Sequence, residues 1–216
     1  MSDSDDDVTP LSAATLAALQ QFYIESAAPD AAAAASQDRF AVGAVGEDWR
    51  MSQFWYDDET ATRLAEELIH EAGDGGRIAC VSAPSVYQKL KQGVVDGSER
   101  VSAVVLEFDR RFASYGDDFV FYDYREPLAL PGALRGAFDV VLADPPYLAL
   151  DCLTSVAQTL TFLSKGKVLL CTGAIMEEHA RNLLGLRKCD FLPKHKNNLA
   201  NQFCCFANYP SRLLSC

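Results

Sequence analysis

The chain has 216 residues, room for one compact domain and too few for two full ones. Apolar residues make up 49% and charged residues 23%, the balance of a soluble globule, and no stretch approaches the ~20 apolar residues of a membrane span. With 30 acids against 19 bases the net charge is −11, which opposes broad, sequence-independent binding to DNA or RNA and favours basic protein partners.

Residues 1–11, with Asp3, Asp5, Asp6 and Asp7 and a Thr9-Pro10 stop, read as a disordered acidic tail, the opposite of a signal peptide's basic start. A helical run from Ala13 to Ser26 follows, with Leu16, Leu19, Phe22 and Tyr23 on one face. The stretch Ala27 to Ser36 holds seven alanines and reads as a linker, so residues 12–36 form a helix and an Ala-rich connection. The folded domain is expected over residues 37–216. A helix over Glu59–His70 leads into short aliphatic runs at Ile78–Ser82, Val101–Phe108, Phe119–Tyr124, Phe138–Ala143 and Val168–Thr172. Helix-compatible segments lie between most of them, at Ser85–Gln92, Leu153–Leu163 and Ala174–Leu184. Continuous apolar strands alternating with helices imply an α/β fold, a parallel sheet covered on both faces. Cys189–Leu192 and Phe203–Tyr209 have no clear helix between them and read as an antiparallel pair closing a seven-stranded sheet.

Seven cysteines without a Cys-x-x-Cys pair read as reduced thiols of a cytosolic core, with Cys204 and Cys205 on opposite faces of a strand. His70, His179 and His195 are too scattered for a metal site, so no metal is expected.

The most informative stretch is Phe138–Tyr147, an apolar strand ending in Asp144-Pro145-Pro146-Tyr147. In open parallel sheets ligands bind beyond the carboxyl ends of the strands, which is where Asp144 falls. Two prolines fix the backbone and remove two donors, leaving a slot lined by an aspartate, a proline carbonyl and an aromatic ring. Such a slot can hold an amine by its hydrogens. A chance acid/amide-Pro-Pro-aromatic in a chain of this length has a probability on the order of 1%, and its placement after a strand lowers that further.

The tetrapeptide resembles that of S-adenosylmethionine-dependent class I methyltransferases, a group that includes adenine-N6, glutamine and protein-lysine enzymes. Ser52–Tyr56, Ile78–Tyr87, Ala143–Tyr147, Cys171–Glu178 and Asn198–Asn201 together resemble the lysine methyltransferase 1 family acting on translation elongation factor 1-alpha, over about residues 10 to 209. The resemblance implies a Rossmann-like seven-stranded sheet with an antiparallel C-terminal hairpin, S-adenosyl-L-methionine as cofactor and elongation factor 1-alpha as substrate. A cytoplasmic monomer with no stable nucleic-acid or membrane association goes with it. The alternative is an adenine-N6 methyltransferase of DNA or RNA.

Within that resemblance Asp144, Pro145, Pro146 and Tyr147 are the candidate catalytic residues, with Asp144 also facing the cofactor. The turn Ser82-Ala83-Pro84-Ser85 stands where class I enzymes carry a Gly-x-Gly loop, and reads as a variant cofactor cradle, with Ser85 as helix N-cap, or as a plain turn. Glu107 can accept both ribose hydroxyls or end a solvated strand. Asp109 belongs to the same candidate set and is also placed to N-cap Arg110-Arg111, and Asp123-Tyr124 are candidates for the adenine. Gln53, Phe54, Trp55 and Tyr56 are either a hydrophobic clamp or a lid over cofactor and target lysine. The basic cluster Arg187, Lys188, Lys194, His195 and Lys196 is a solvated loop, or meets an acidic strip or the cofactor's carboxylate.

Overall fold

Helix α1 (Asp58–Ala72) starts where the Asp57 carboxylate accepts the Thr60 backbone N–H, with Asp58 and Glu59 against the positive end of the helix. It stops at Gly73, in a positive-φ conformation that suits glycine. Ala61, Leu64, Ala65 and Leu68 make its buried stripe, spaced at three and four residues. The computed structural model describes residues 40–41, 44–197 and 199–216. The acidic tail, the first helix and the Ala-rich linker expected from the sequence lie outside the described residues.

From α1 the chain alternates strand and helix: β1 (Arg77–Val81), α2 (Pro84–Gln92), β2 (Ser102–Glu107), β3 (Phe119–Phe121), β4 (Phe138–Ala143), α3 (Leu150–Leu163), β5 (Ser164–Gly173), α4 (Glu177–Leu184), β6 (Arg187–Lys188) and β7 (Phe203–Ala207). The seven strands lie in the order β3-β2-β1-β4-β5-β7-β6, and β7 runs antiparallel to both its neighbours. The core divides into two layers. Leu64 and Leu68 of α1 with Val86, Tyr87 and Leu90 of α2 cover one face, and Leu153, Val156 and Leu160 of α3 with Ala180 of α4 cover the other. Burial on both sides is why Ile78–Val81 of β1, Val140–Ala143 of β4 and Val168–Cys171 of β5 read as unbroken apolar runs.

Three expectations need correction. The penultimate strand is Arg187–Lys188 rather than Cys189–Leu192. Two charged residues on an exposed edge carry no hydrophobic period, and the apolar run beyond them pairs with the C-terminal segment, Phe191 donating to the Leu214 carbonyl at 3.2 Å. Helix α2 is capped at Ala83 with Pro84 in its first turn and no side-chain cap, so Ser85 is not the N-cap and is instead buried. Finally, Cys189 and Cys216 are joined as a disulfide, while the other five cysteines are free and buried.

Candidate active site

Leu106, Val81, Ala143 and Leu170 stand in one register row across β2, β1, β4 and β5. One step further, at the carboxyl ends, come Glu107, Ser82, Asp144 and Cys171, whose side chains by the pleat face the α1/α2 side. The strand order reverses between β1 and β4, the place where open α/β sheets bind ligands. The row is held from behind: the Asp144 N–H donates to the Val81 carbonyl at 3.0 Å and the Ser82 N–H to the Leu106 carbonyl at 2.8 Å.

A cavity of about 660 Å³ opens over this row. Of the residues singled out in the sequence, Gln53, Phe54, Trp55, Ser82, Pro84, Glu107, Asp123, Tyr124 and the whole of Asp144–Tyr147 line it. Ala83, Ser85, Asp109 and Tyr56 do not. Ala83 and Ser85 are turned into the core, at 1% and 2% exposure. The Asp109 carboxylate is occupied: it caps Arg111 N–H at 2.9 Å, pairs with the Arg111 guanidinium and accepts from Gln53.

Gln53 bridges two carboxylates. Its side-chain amide donates to Glu107 at 3.2 Å and to Asp109 at 3.1 Å, and its carbonyl accepts from Arg111 at 3.2 Å. Trp55 is buried, its indole N–H donating to the Val45 carbonyl at 2.8 Å. Tyr56 is 1% exposed and lies beneath Asp144, to which its hydroxyl donates at 2.6 Å. Phe54, against Trp49 at 5.9 Å between ring centres, keeps a place in the cavity wall. Gln53, Trp55 and Tyr56 are thus anchored to the rest of the fold, while Gln53, Phe54 and Trp55 also line the cavity.

Two carboxyls in the row are perturbed. Burial pushes Asp144 up to about 7, opposed by the Tyr56 hydrogen bond and assisted by the negative charge of Glu107. Burial likewise pushes Glu107 up to about 7, opposed by the Gln53 amide. Asp123, by contrast, is held below the usual carboxylate range by a bidentate pair with Arg125, at 2.9 and 2.6 Å. Tyr124 and Tyr147 face each other at 5.8 Å, with Tyr147 exposed at the mouth.

Sequence reasoning missed Arg50, Arg125 and Phe203, which also line the cavity, as does Asn201 of the Asn198–Asn201 block. It placed His195 in a basic loop. The imidazole instead lies between the rings of Tyr56 (4.9 Å) and Phe203 (4.7 Å), and burial pushes it down to about 4, so it is neutral at physiological pH. Residues 55–57 and 194–196 run antiparallel, through Lys196 N–H to the Trp55 carbonyl at 2.8 Å and Asp57 N–H to the Lys194 carbonyl at 3.0 Å. Arg187 and Lys188 sit apart from that loop, exposed on the edge strand, which divides the basic cluster.

A family model described as "Probable N6-adenine methyltransferase" matches residues 47–211. "EEF1A lysine methyltransferase 1" of Gallus gallus is 54% identical over 99% of this chain and 100% of its own length. The Homo sapiens protein of the same name is 52% identical over 99% and 98%. The chain belongs to this methyltransferase family. Its more distant members include a "Protein-lysine N-methyltransferase" of Caenorhabditis elegans, M142.8, 42% identical over 97% of both chains. Among solved structures, a branched-chain polyamine synthase mutein from Thermus thermophilus has the same fold, with a TM-score of 0.54 and 15% identity over 74% of this chain and 58% of that one. Membership and topology together make the sheet that of the class I methyltransferases, as the motif implied.

Proposed function

We propose that the chain transfers a methyl group from S-adenosyl-L-methionine to the ε-amine of a lysine in translation elongation factor 1-alpha. The observation that carries this reading is the Asp144 carboxyl, held at the end of β4 by the Tyr56 hydroxyl at 2.6 Å in a residue that lines the cavity together with Pro145 and Pro146. Full-length relatives that carry the lysine methyltransferase name support the choice of amine.

The residues present fit the cofactor. Glu107, buried yet lining the cavity, has a carboxylate whose burial is only partly offset by Gln53, so the two hydroxyls of a ribose would find an acceptor there. Ser82, at φ 52°, takes the left-handed conformation that a glycine loop would supply, and it brings backbone to the cavity wall without one. Asp123 and Tyr124 complete that end of the wall. S-Adenosylmethionine, when bound, supplies an electrophilic methyl group.

The accepting nitrogen must be neutral, and at pH 7 less than about 0.1% of free lysine is. Asp144 in its ionised form and the Pro145 carbonyl accept the amine hydrogens and aim the lone pair. Positive charge grows on the nitrogen as it is alkylated, so the same acceptors favour the transition state over the ground state. The Tyr147 ring, at the mouth, offers its face to the cation. Since Asp144 must be ionised and the lysine neutral, log kcat/KM at saturating cofactor is expected to rise with a slope of about two below pH 7 and about one above it.

A second reading, adenine-N6 methylation of nucleic acid, has the description of the family model in its favour. Transfer of radiolabelled methyl to elongation factor 1-alpha, DNA and RNA offered in parallel separates the two. Label on a lysine of the protein, lost in Asp144→Ala while cofactor affinity stays within a few-fold, supports the proposal; label on nucleic acid alone overturns it. Residence in the cytoplasm as a monomer belongs to the same proposal. Among the described residues no helix is long and apolar enough to cross a membrane.

A further inference from the structure

We infer that Tyr56 is a positioning residue for catalysis: its hydroxyl, held from below the sheet row, fixes one oxygen of Asp144 and leaves the other for the substrate amine. The inference rests on the methyl-transfer reading above and adds a residue that never meets the substrate.

Tyr56 is built for the task. It is 1% exposed, its backbone is bridged to His195, and its ring is packed at 4.9 Å against an imidazole that is itself wedged against Phe203. A buried side chain held at its backbone and along its ring by His195 has little room to swing away, so its 2.6 Å bond to Asp144 Oδ2 sets the rotation of the carboxylate. Among the described residues it is the one side chain that donates to Asp144.

The groups around the pair leave that donor unopposed. Cys171 of β5 and Cys205 of β7 face Tyr56, their sulfurs 3.5 Å apart, and the Cys171 thiol is pushed up first by Cys205 and then by burial, so it stays protonated. His195 is neutral. Glu107, from the end of β2, is the charge that acts on Asp144. Burial, with the Asp144 charge beside it, pushes the Tyr56 phenol well up, so it remains a donor at every working pH. A donor to the ionised form lowers the pKa of an acid; removing it raises that pKa.

The test is Tyr56→Phe, which keeps the ring and deletes one oxygen. With carbon-13 aspartate in the enzyme alone, and the Asp144 signal assigned by its loss in Asp144→Asn, the Asp144 titration is expected to move up by about one unit. In turnover, kcat is expected to fall roughly 10- to 100-fold, KM for cofactor and acceptor to stay within a few-fold, and the acid limb of the kcat/KM profile to move up with the titration. Site-specific 3-fluorotyrosine at position 56, a stronger donor, is expected to move the limb the other way. An unmoved titration overturns the proposal, as does a moved titration with unchanged kcat. Turnover is read on whichever acceptor the wild type labels. A wild type that labels only nucleic acid therefore refutes the lysine reading without touching this one, because Asp144 faces the amine in either case.

Discussion

Glu107 holds a buried carboxyl in a position where an acceptor is needed, and the two demands oppose each other. Its pKa of about 7 in the folded chain lies above the usual 4.5, so between those values the folded state binds more protons than the unfolded one. Stability therefore falls as pH rises from about 4.5 to about 7, by roughly 3 kcal/mol. Glu107→Gln removes that cost. Its melting temperature is expected to match the wild type near pH 4.5 and to exceed it increasingly up to pH 8, while cofactor affinity drops roughly 10- to 100-fold through loss of charged acceptors. Hydroxyl donors should pull the Glu107 pKa back down, so cofactor binding at pH 6 is expected to release a proton. Calorimetry in buffers of different ionisation enthalpy would show that release in the wild type and its loss in the variant.

The turn between β1 and α2 shows how one element answers a missing glycine. Ser82 adopts φ 52° without one, in a region where a Cβ costs on the order of 1 kcal/mol and a β-branched side chain more. Ser82→Gly is expected to bind cofactor within a few-fold of wild type and melt within a few degrees of it. Ser82→Val should lose both stability and affinity, and equal behaviour of the two variants would mean the backbone there relaxes freely. What the sequence makes legible at this scale follows from the same physics. β1, β4 and β5 are readable because burial on both faces forces an apolar run of four residues in each, Ile78–Val81, Val140–Ala143 and Val168–Cys171, and Asp144 because two prolines mark its turn. Tyr56 and Gln53 are not readable as partners of the site. Tyr56 lies 88 residues before Asp144 and Gln53 lies 54 before Glu107, and only the tertiary fold brings the segment ahead of α1 against the strand ends. An aromatic run also looks alike whether it covers a cavity or supports it from below. β6 was hidden for the opposite reason, since a two-residue charged edge strand has no pattern to find.

Charge acts over the whole molecule, and here it is unevenly divided. Residues 1–39 carry seven acids and one base, and the remaining residues carry 23 acids and 18 bases, so more than half of the net −11 sits ahead of the described domain. The domain itself is only mildly acidic, and its cavity wall includes Arg50 and Arg125. Arg125 is paired with Asp123 and Arg50 with Asp48, so among the described residues the mouth presents paired arginines rather than the row of free cations that phosphate contacts require. An acidic N-terminal stretch and a charge-paired mouth are therefore expected to act separately against nucleic-acid binding. Fluorescence anisotropy with a labelled DNA duplex is expected to show no saturable binding below about 0.1 mM at physiological salt. Changing Asp3, Asp5, Asp6 and Asp7 to asparagine removes four negative charges but supplies no phosphate contacts, so it should not bring binding into the micromolar range. If it did, the tail would be what keeps a nucleic-acid substrate out, and the adenine reading would move ahead of the lysine one.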